Sequence, residues 1–382
     1  MIPRTLFDSD HDAFRDSVRK FLAKEALPFH AEWEKDGQID KGLWLKAGTM
    51  GFLCPQLPEE YGGSGTTFLY NAIVAEEIAN AGTSGIGFSL HSDIVAPYIF
   101  NYGSEKIKQR YLPAMAAGEM VSAIAMTEPG AGSDLQGIKA TAIRDGNEYV
   151  INGSKTFITN GQHADIVIVV AKTDPNDGAK GISLFVVEAA TPGFSRGKNL
   201  EKIGMKAQDT SELFFQDVRV PADNLLGAEG QGFIYLMQEL PQERLLVAIS
   251  AVAGSEAALQ WTIDYCNERK AFSKPIMAFQ NTRFKLAELK GEISAARCLL
   301  DRCLELHLQH ELDVPTAAML KQLTTDLLCK TVDECVQLHG GYGYMWEYPI
   351  ARAWADARVQ RIYAGTNEIM KEIVSRQFAQ ER

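Results

Sequence analysis

Ile166-Val167-Ile168-Val169-Val170-Ala171 is the stretch on which the fold class turns. It is β-branched, of strand length and free of polar alternation, so it reads as a buried strand. Ile182-Ser183-Leu184-Phe185-Val186-Val187 repeats the pattern downstream, and Tyr149-Val150-Ile151-Asn152-Gly153-Ser154 precedes it as a strand entering a turn. Leu213-Phe214-Phe215-Gln216-Asp217-Val218-Arg219-Val220, stopped by Pro221, closes the block. Short strands with loops and few helical intervals predict an antiparallel barrel or sandwich, not βαβ units.

On both sides of this block the period changes. Upstream, charges interleave with Phe14, Val18, Phe21 and Leu22 as on a helix, residues 71–80 are strong helix formers, and Glu105–Met115 predicts another short helix. Gly62-Gly63-Ser64-Gly65 is a loop, and Gly82 and Gly85 punctuate the chain. Downstream, Leu286, Leu289, Ile293, Ala296, Leu300 and Cys303 alternate steps of three and four. Similar stripes start at Ala248, at Leu320 and at Ile369, the one from Leu320 stopping at Gly340-Gly341. Four amphipathic helices with short links predict an antiparallel bundle. The chain is therefore α+β and multidomain: an N-terminal helical domain over 1–120, a middle β domain over 121–228 and a C-terminal four-helix bundle over 229–382.

The 382 residues carry a net charge of −11, which argues against a broad nucleic-acid surface. No apolar run reads as a membrane span, and no secretory leader is legible. That suggests a cytoplasmic bacterial protein or the mature form of one from the mitochondrial matrix. Six cysteines without a Cys-x-x-Cys pair read as reduced core thiols, and the spacing of His307 and His310 supports no metal site. Neither Gly-x-Gly-x-x-Gly after a strand nor a P-loop is present.

Several segments have residues suited to ligand binding. In Met126-Thr127-Glu128-Pro129-Gly130-Ala131-Gly132-Ser133-Asp134, small residues permit close backbone approach and Thr127 and Ser133 offer hydroxyls; a surface turn fits the composition equally well. In Lys155-Thr156-Phe157-Ile158-Thr159, alternation puts Phe157 and Thr159 on one strand face. Glu268-Arg269-Lys270-Ala271-Phe272-Ser273-Lys274 is a charged helix end, and Thr366 can cap a last helix. In Leu240-Pro241-Gln242-Glu243-Arg244, Pro241 reads as a first-turn residue. Glu243 would then sit near a helix N-terminus, where the dipole favours its charged form. On that ground alone it is a helix-start carboxylate.

These segments, in this order and over essentially the whole chain, resemble the acyl-CoA dehydrogenases. The run Gly340-Gly341-Tyr342-Gly343-Tyr344-Met345-Trp346-Glu347-Tyr348-Pro349-Ile350 is most similar to the long-chain branch. The resemblance implies FAD as cofactor. Met126, Thr127, Phe157 and Thr159 then meet the flavin, and Ser133 lies near the pyrophosphate and the CoA of the substrate. Arg269 and Phe272 serve the FAD diphosphate and adenosine of a neighbouring subunit, and Gln280 approaches the cofactor. Gln337 and Gly341 lie on the adenosine part of FAD, and Thr366 and Glu368 meet the FAD pyrophosphate and adenine. Arg361-Ile362-Tyr363-Ala364-Gly365-Thr366-Asn367-Glu368 departs from many members of the family, in which the residue before Gly-Thr is the catalytic Glu. Here it is Ala364. Glu243 matches the base position of the long-chain and isovaleryl members, whose C-terminal motif also lacks that Glu.

The implied reaction is α,β-dehydrogenation of an acyl-CoA, with Glu243 as base, the Ala364 amide polarising the thioester, and Arg244 and Gly365 near the substrate. Electron-transferring flavoprotein is the implied acceptor and a homotetramer the implied assembly. Branched-chain or terpenoid acyl-CoAs, an acyl-CoA oxidase and a non-catalytic flavin-binding protein are the alternatives.

Overall fold

The computed structural model describes residues 2–380. Helices α1 (Ser9–Glu25), α2 (His30–Asp36), α3 (Gly42–Thr49), α4 (Phe68–Asn80), α5 (Ala96–Tyr102) and α6 (Glu105–Ala116) come first. Strands follow: β1 (Ser122–Ala125), β2 (Thr141–Asp145), β3 (Glu148–Thr159), β4 (Ile166–Lys172), β5 (Ile182–Glu188), β6 (Phe194–Asn199), β7 (Thr210–Pro221) and β8 (Leu225–Leu226). The chain then returns to helix in α7 (Gly232–Glu268) and, after a two-strand ribbon of β9 (Lys270–Ala271) and β10 (Lys274–Pro275), in α8 (Gln280–Leu308) and α9 (Val314–His339). Helices α10 (Pro349–Gln360) and α11 (Asn367–Gln380) complete it.

The β block is one sheet in the order β6-β7-β3-β2-β4-β5-β8, with β1 joined to β4. It is mixed rather than purely antiparallel: β4 pairs β1 and β2 in parallel and β5 antiparallel. The apolar run explains why. Ile166, Ile168 and Val170 enter the core shared with α5 and α6, while Val167, Val169 and Ala171 enter the core inside the sheet. A strand buried on both faces cannot serve as a half-solvated hairpin arm, and parallel neighbours reached through crossovers suit that place.

The C-terminal stripes face one core. Helices α7, α8 and α9 bury Val252, Leu259, Leu289, Ile293, Leu320 and Val332 there, together with Phe68, Ala72 and Ala75 of α4. The fourth stripe is less fully buried: α11 packs on α9, but Phe378 is 66% exposed. By length and composition α7 could cross a membrane, contrary to the sequence reading. Of that apolar window, however, 67% is buried, so this surface is used against α4, α8 and α9.

Pro241 does not begin a helix. It lies inside α7, whose start at Gly232 is nine residues earlier. The earlier turns hold because Leu236 is buried with Val186 and Leu226, and Phe233, Tyr235 and Met237 pack on the same core. That burial outweighs the roughly 3 kcal/mol an interior proline costs a helix.

Candidate active site

A cavity of about 360 Å³ lies where β1, β3, α4, α7 and α10 converge. It gathers Met126, Thr127, Phe157, Thr159, Glu243 and Ala364 from four separate regions of the chain. Each is held there by identifiable forces.

Lys155 and Glu128 fix the loop carrying Met126 and Thr127. Lys155 Nζ, buried, donates to Glu128 Oε1 at 2.8 Å and to the Met126 carbonyl at 3.0 Å. Glu128 also accepts from the Lys139 and Ala140 amides. Burial pushes this carboxyl up, but Lys155 and the two amides overcome it and hold it below its ordinary value. The Thr156 amide then ties β3 to the Thr127 carbonyl at 2.9 Å. Sequence reading missed this pair, since a Glu and a Lys 27 positions apart carry no local signal.

Phe157 has φ +60° and sits in a break of the β3–β7 register between Lys155 and Ile158. The bulge turns its ring out, 67% exposed, beside Thr159 on the cavity wall. Ala364 (φ +53°) and Met205 (φ +47°) line the same cavity in the left-handed region. That region costs a non-glycine residue about 1–2 kcal/mol, and such strain gathers at functional sites. Lys321 Nζ, fully buried, pins the Ala364 turn by donating to the Gly365 carbonyl and Asn367 Oδ1, both at 2.9 Å. Asp356 pins Met205, accepting from its amide and from Ser84 Oγ at 2.6 Å.

Glu243 is 6% exposed and lies three turns inside α7, so the first-turn dipole argument does not apply. Burial dominates instead and, aided by Glu239, pushes its carboxyl up to about 7 against a Tyr98 hydrogen bond and Arg244. Tyr98 Oη donates to Glu243 Oε1 at 2.9 Å, another contact with no sequence signal. Arg244 is buried beside it, and its Nε has no hydrogen-bond partner among the described residues.

The remaining expected residues do not line this cavity. Ser133 lies on an exposed part of its loop. The Arg269 guanidinium sits 5.3 Å from the Tyr342 ring, next to Gly341, and Phe272 is 91% exposed with φ +50°. Gln280 opens α8, and Gln337 is in the last turn of α9. Thr366 Oγ1 accepts from the Ile369 amide and so caps α11, with Glu368 in its first turn. Gly365 (φ +88°) follows Ala364 in the turn.

Three family profiles match: the acyl-CoA dehydrogenase N-terminal domain over 8–119, the middle domain over 123–218 and the C-terminal domain over 230–379. The long-chain specific acyl-CoA dehydrogenase of Sus scrofa mitochondria is 54% identical over 381 residues, 99% of this chain and 89% of that protein. The crystal structure of an acyl-CoA dehydrogenase from Geobacillus kaustophilus superposes with a TM-score of 0.97 at 50% identity, covering 98% of this chain and 100% of that one. A Bacillus anthracis acyl-CoA dehydrogenase complexed with FAD gives 0.93 at 33% identity, over 100% of this chain and 68% of that one. With these matches spanning all three blocks, the chain belongs to the acyl-CoA dehydrogenase family, oxidoreductases that act on a CH–CH bond.

Proposed function

We propose that the protein dehydrogenates long-chain acyl-CoA to the trans-2-enoyl-CoA, with FAD as cofactor and Glu243 as the α-proton base. The observation that carries this reading is a carboxylate buried on a cavity wall, its pKa pushed up to about 7, in the same cavity as a flat aromatic and a strained alanine turn. A carboxylate at its ordinary value is too weak a base for a thioester α-carbon. Desolvation narrows that gap.

The cavity fits a flavin. Phe157 offers an apolar wall, Thr127 and Thr159 offer hydroxyls, and the clamped backbone of 126–127 supplies a fixed edge. In this reading Met126, Thr127, Phe157 and Thr159 hold the flavin. Ser133, Thr366 and Glu368 serve the pyrophosphate and adenine, while Arg269, Phe272, Gln280, Gln337 and Gly341 serve the diphosphate and adenosine arm. Arg269 and Phe272 lie away from the cavity and Phe272 is almost fully exposed, which supports a site completed by a second copy, in a homotetramer. FAD, when bound, supplies the two-electron acceptor for the β-hydrogen.

The chain's own residues do the rest. The α C–H bond breaks, its proton passes to a Glu243 oxygen, and its electron pair becomes the α,β double bond. The Ala364 amide donates to the thioester oxygen as charge builds there. Arg244 and Gly365 adjoin the cavity-lining Glu243 and Ala364 in sequence and support the substrate site from behind that wall. Electron-transferring flavoprotein reoxidises the enzyme.

Length is read from the wall of α7, where Glu243, Val247, Ser250 and Gly254 line the cavity in succession. From Glu243 to Gly254 the helix rises about 16 Å. An extended alkyl chain advances about 1.3 Å per carbon, so that wall matches roughly a dozen carbons, and the cavity continues to Trp261. Anaerobic flavin bleaching with straight, branched and terpenoid acyl-CoAs tests this: the fastest bleaching should come from straight chains of a dozen carbons or more. Hydrogen peroxide formed at the turnover rate would point instead to an oxidase. The Glu243→Gln protein should stay yellow and fail to bleach; normal bleaching would remove Glu243 as the base.

A further inference from the structure

We propose that Tyr98 is the positioning residue of the Glu243 carboxylate, holding one oxygen so that the other is presented to the cavity. The inference rests on the reading of Glu243 as base. Tyr98 lies on α5, 145 residues away in sequence, and is fully buried. Its hydroxyl is 2.9 Å from Glu243 Oε1. Oε2 has no hydrogen-bond donor among the described residues, and Glu243 lines the cavity. Within α7 the backbone amides are committed to the helix ladder, so no amide can steady this side chain. Orientation has to come from another element, and α5 supplies it.

The path of the chain favours that role. Leu90–Val95 forms a π-helical turn leading directly into α5, a feature common at functional sites. Leu90 and Ile94 line the cavity, and Tyr98, four residues on, reaches Glu243. The other charged or titratable groups around Glu243 have identifiable surroundings. In the cavity wall Asp356 accepts from Met205 and Ser84, and Arg352 donates to the Trp346 and Glu347 carbonyls. On the π-turn Asp93 accepts from Asn71. Glu239 on α7 accepts from Tyr102 Oη at 2.7 Å and Asn101 Nδ2 at 2.9 Å. Arg244 makes no hydrogen bond to Glu243 among the described residues, and Lys321 of α9 is held by Gly365 and Asn367. Tyr363 lines the same cavity as a neutral phenol, its pKa raised by burial. Tyr98 is likewise a neutral donor at any working pH, since burial and Glu243 hold its own pKa well above the ordinary value. A neutral donor orients the carboxylate without the full penalty to basicity that a guanidinium would impose.

The test is Tyr98→Phe in the FAD-loaded full-length enzyme, reading kcat/KM against pH. Loss of a donor to the ionised carboxylate should move the acid limb upward by about one pH unit. It should also lower kcat roughly ten- to a hundredfold, with KM little changed. An acid limb that stays in place or moves down, whatever the rate loss, overturns the proposal. If Tyr98→Phe is too unstable for kinetics, a double-mutant cycle with Glu243→Leu decides, because a glutamine would still accept the phenol's hydrogen bond. A thermal penalty for Tyr98→Phe that shrinks when Glu243→Leu is also present supports the contact, and an unchanged penalty overturns it. Full activity of Glu243→Gln would sink the base assignment itself, a separate result.

Discussion

Glu76 and Glu243 are buried glutamates on two helices that pack together, α4 and α7, yet they are treated in opposite ways. Glu76 is 1% exposed and meets three guanidiniums: Arg297 at 2.5 Å, Arg15 at 2.8 Å and Arg4 at 3.0 Å. Burial alone would raise its pKa, but the arginines reverse this and hold it at about 2. Glu243 receives one phenol and is left near 7. The lesson is that burial does not set a carboxylate's role; the charge of its partners does. Arginines make a permanent anion that joins the N-terminus, α4 and α8, whereas a single neutral donor leaves a carboxylate able to take up a proton.

Glu243→Gln should lower the rate of flavin reduction by about 10⁴-fold, the upper range for a general base, measured by anaerobic stopped flow. Next, Glu76→Ala should destabilise the protein by about 3–5 kcal/mol in chemical denaturation, because three guanidiniums lose their buried anion. The pH at which turnover falls off should not move in that variant.

The two groups should also titrate with opposite signs. Turnover should rise with pH through about 7 as Glu243 ionises. Glu76 is depressed, so its stabilisation is present above the ordinary carboxylate value and lost as pH falls toward 2. Glu243 is raised, so its contribution is present below the ordinary value and lost as pH rises through about 7. Denaturation midpoints taken across the range from acid, where Glu76 protonates, to mild alkali, where Glu243 is ionised, would separate the two.

Gly254→Leu would fill space along the wall that Glu243 begins. A Cβ at Gly254 meets only Leu328 Cδ1 at 3.4 Å, so the fold does not require glycine there. A helix-interior glycine costs about 1 kcal/mol relative to alanine, which implies that the space itself is used. The ratio of kcat/KM for long over medium acyl-CoAs should fall about tenfold. The smallest effect expected is on stability: Glu243→Gln should raise it in mild alkali by on the order of 1 kcal/mol, since the cofactor-free protein then buries no charge at that position. A loss of stability would mean that Glu243 is held for structure, as Glu76 is.

Much of the fold was legible because periodicity is local. The Ile166–Ala171 run, the Leu286–Cys303 stripe and the stop at Gly340 all read directly, and each lies in the expected element. The mixed pairing of β4 was not legible, because strand direction depends on neighbours distant in sequence. Pro241 misled for a similar reason. Propensity placed it at a helix start, but the burial of Leu236 extended the helix backward and removed the dipole argument about Glu243. Met126, Thr127, Phe157, Thr159, Glu243 and Ala364 do share one cavity. Ser133, Arg244, Gly365 and the residues assigned to the adenosine arm lie outside it, so the cavity does not bring them together.

By itself, then, the sequence determined the three blocks, the family and the pairing of Ala364 with Glu243, because these rest on residue identity and short-range period. Only the tertiary structure decided the state of that glutamate. Its raised pKa comes from desolvation, which prevails over the hydrogen bond of a tyrosine on another helix. Both depend on what packs around the side chain rather than on what precedes it in the chain.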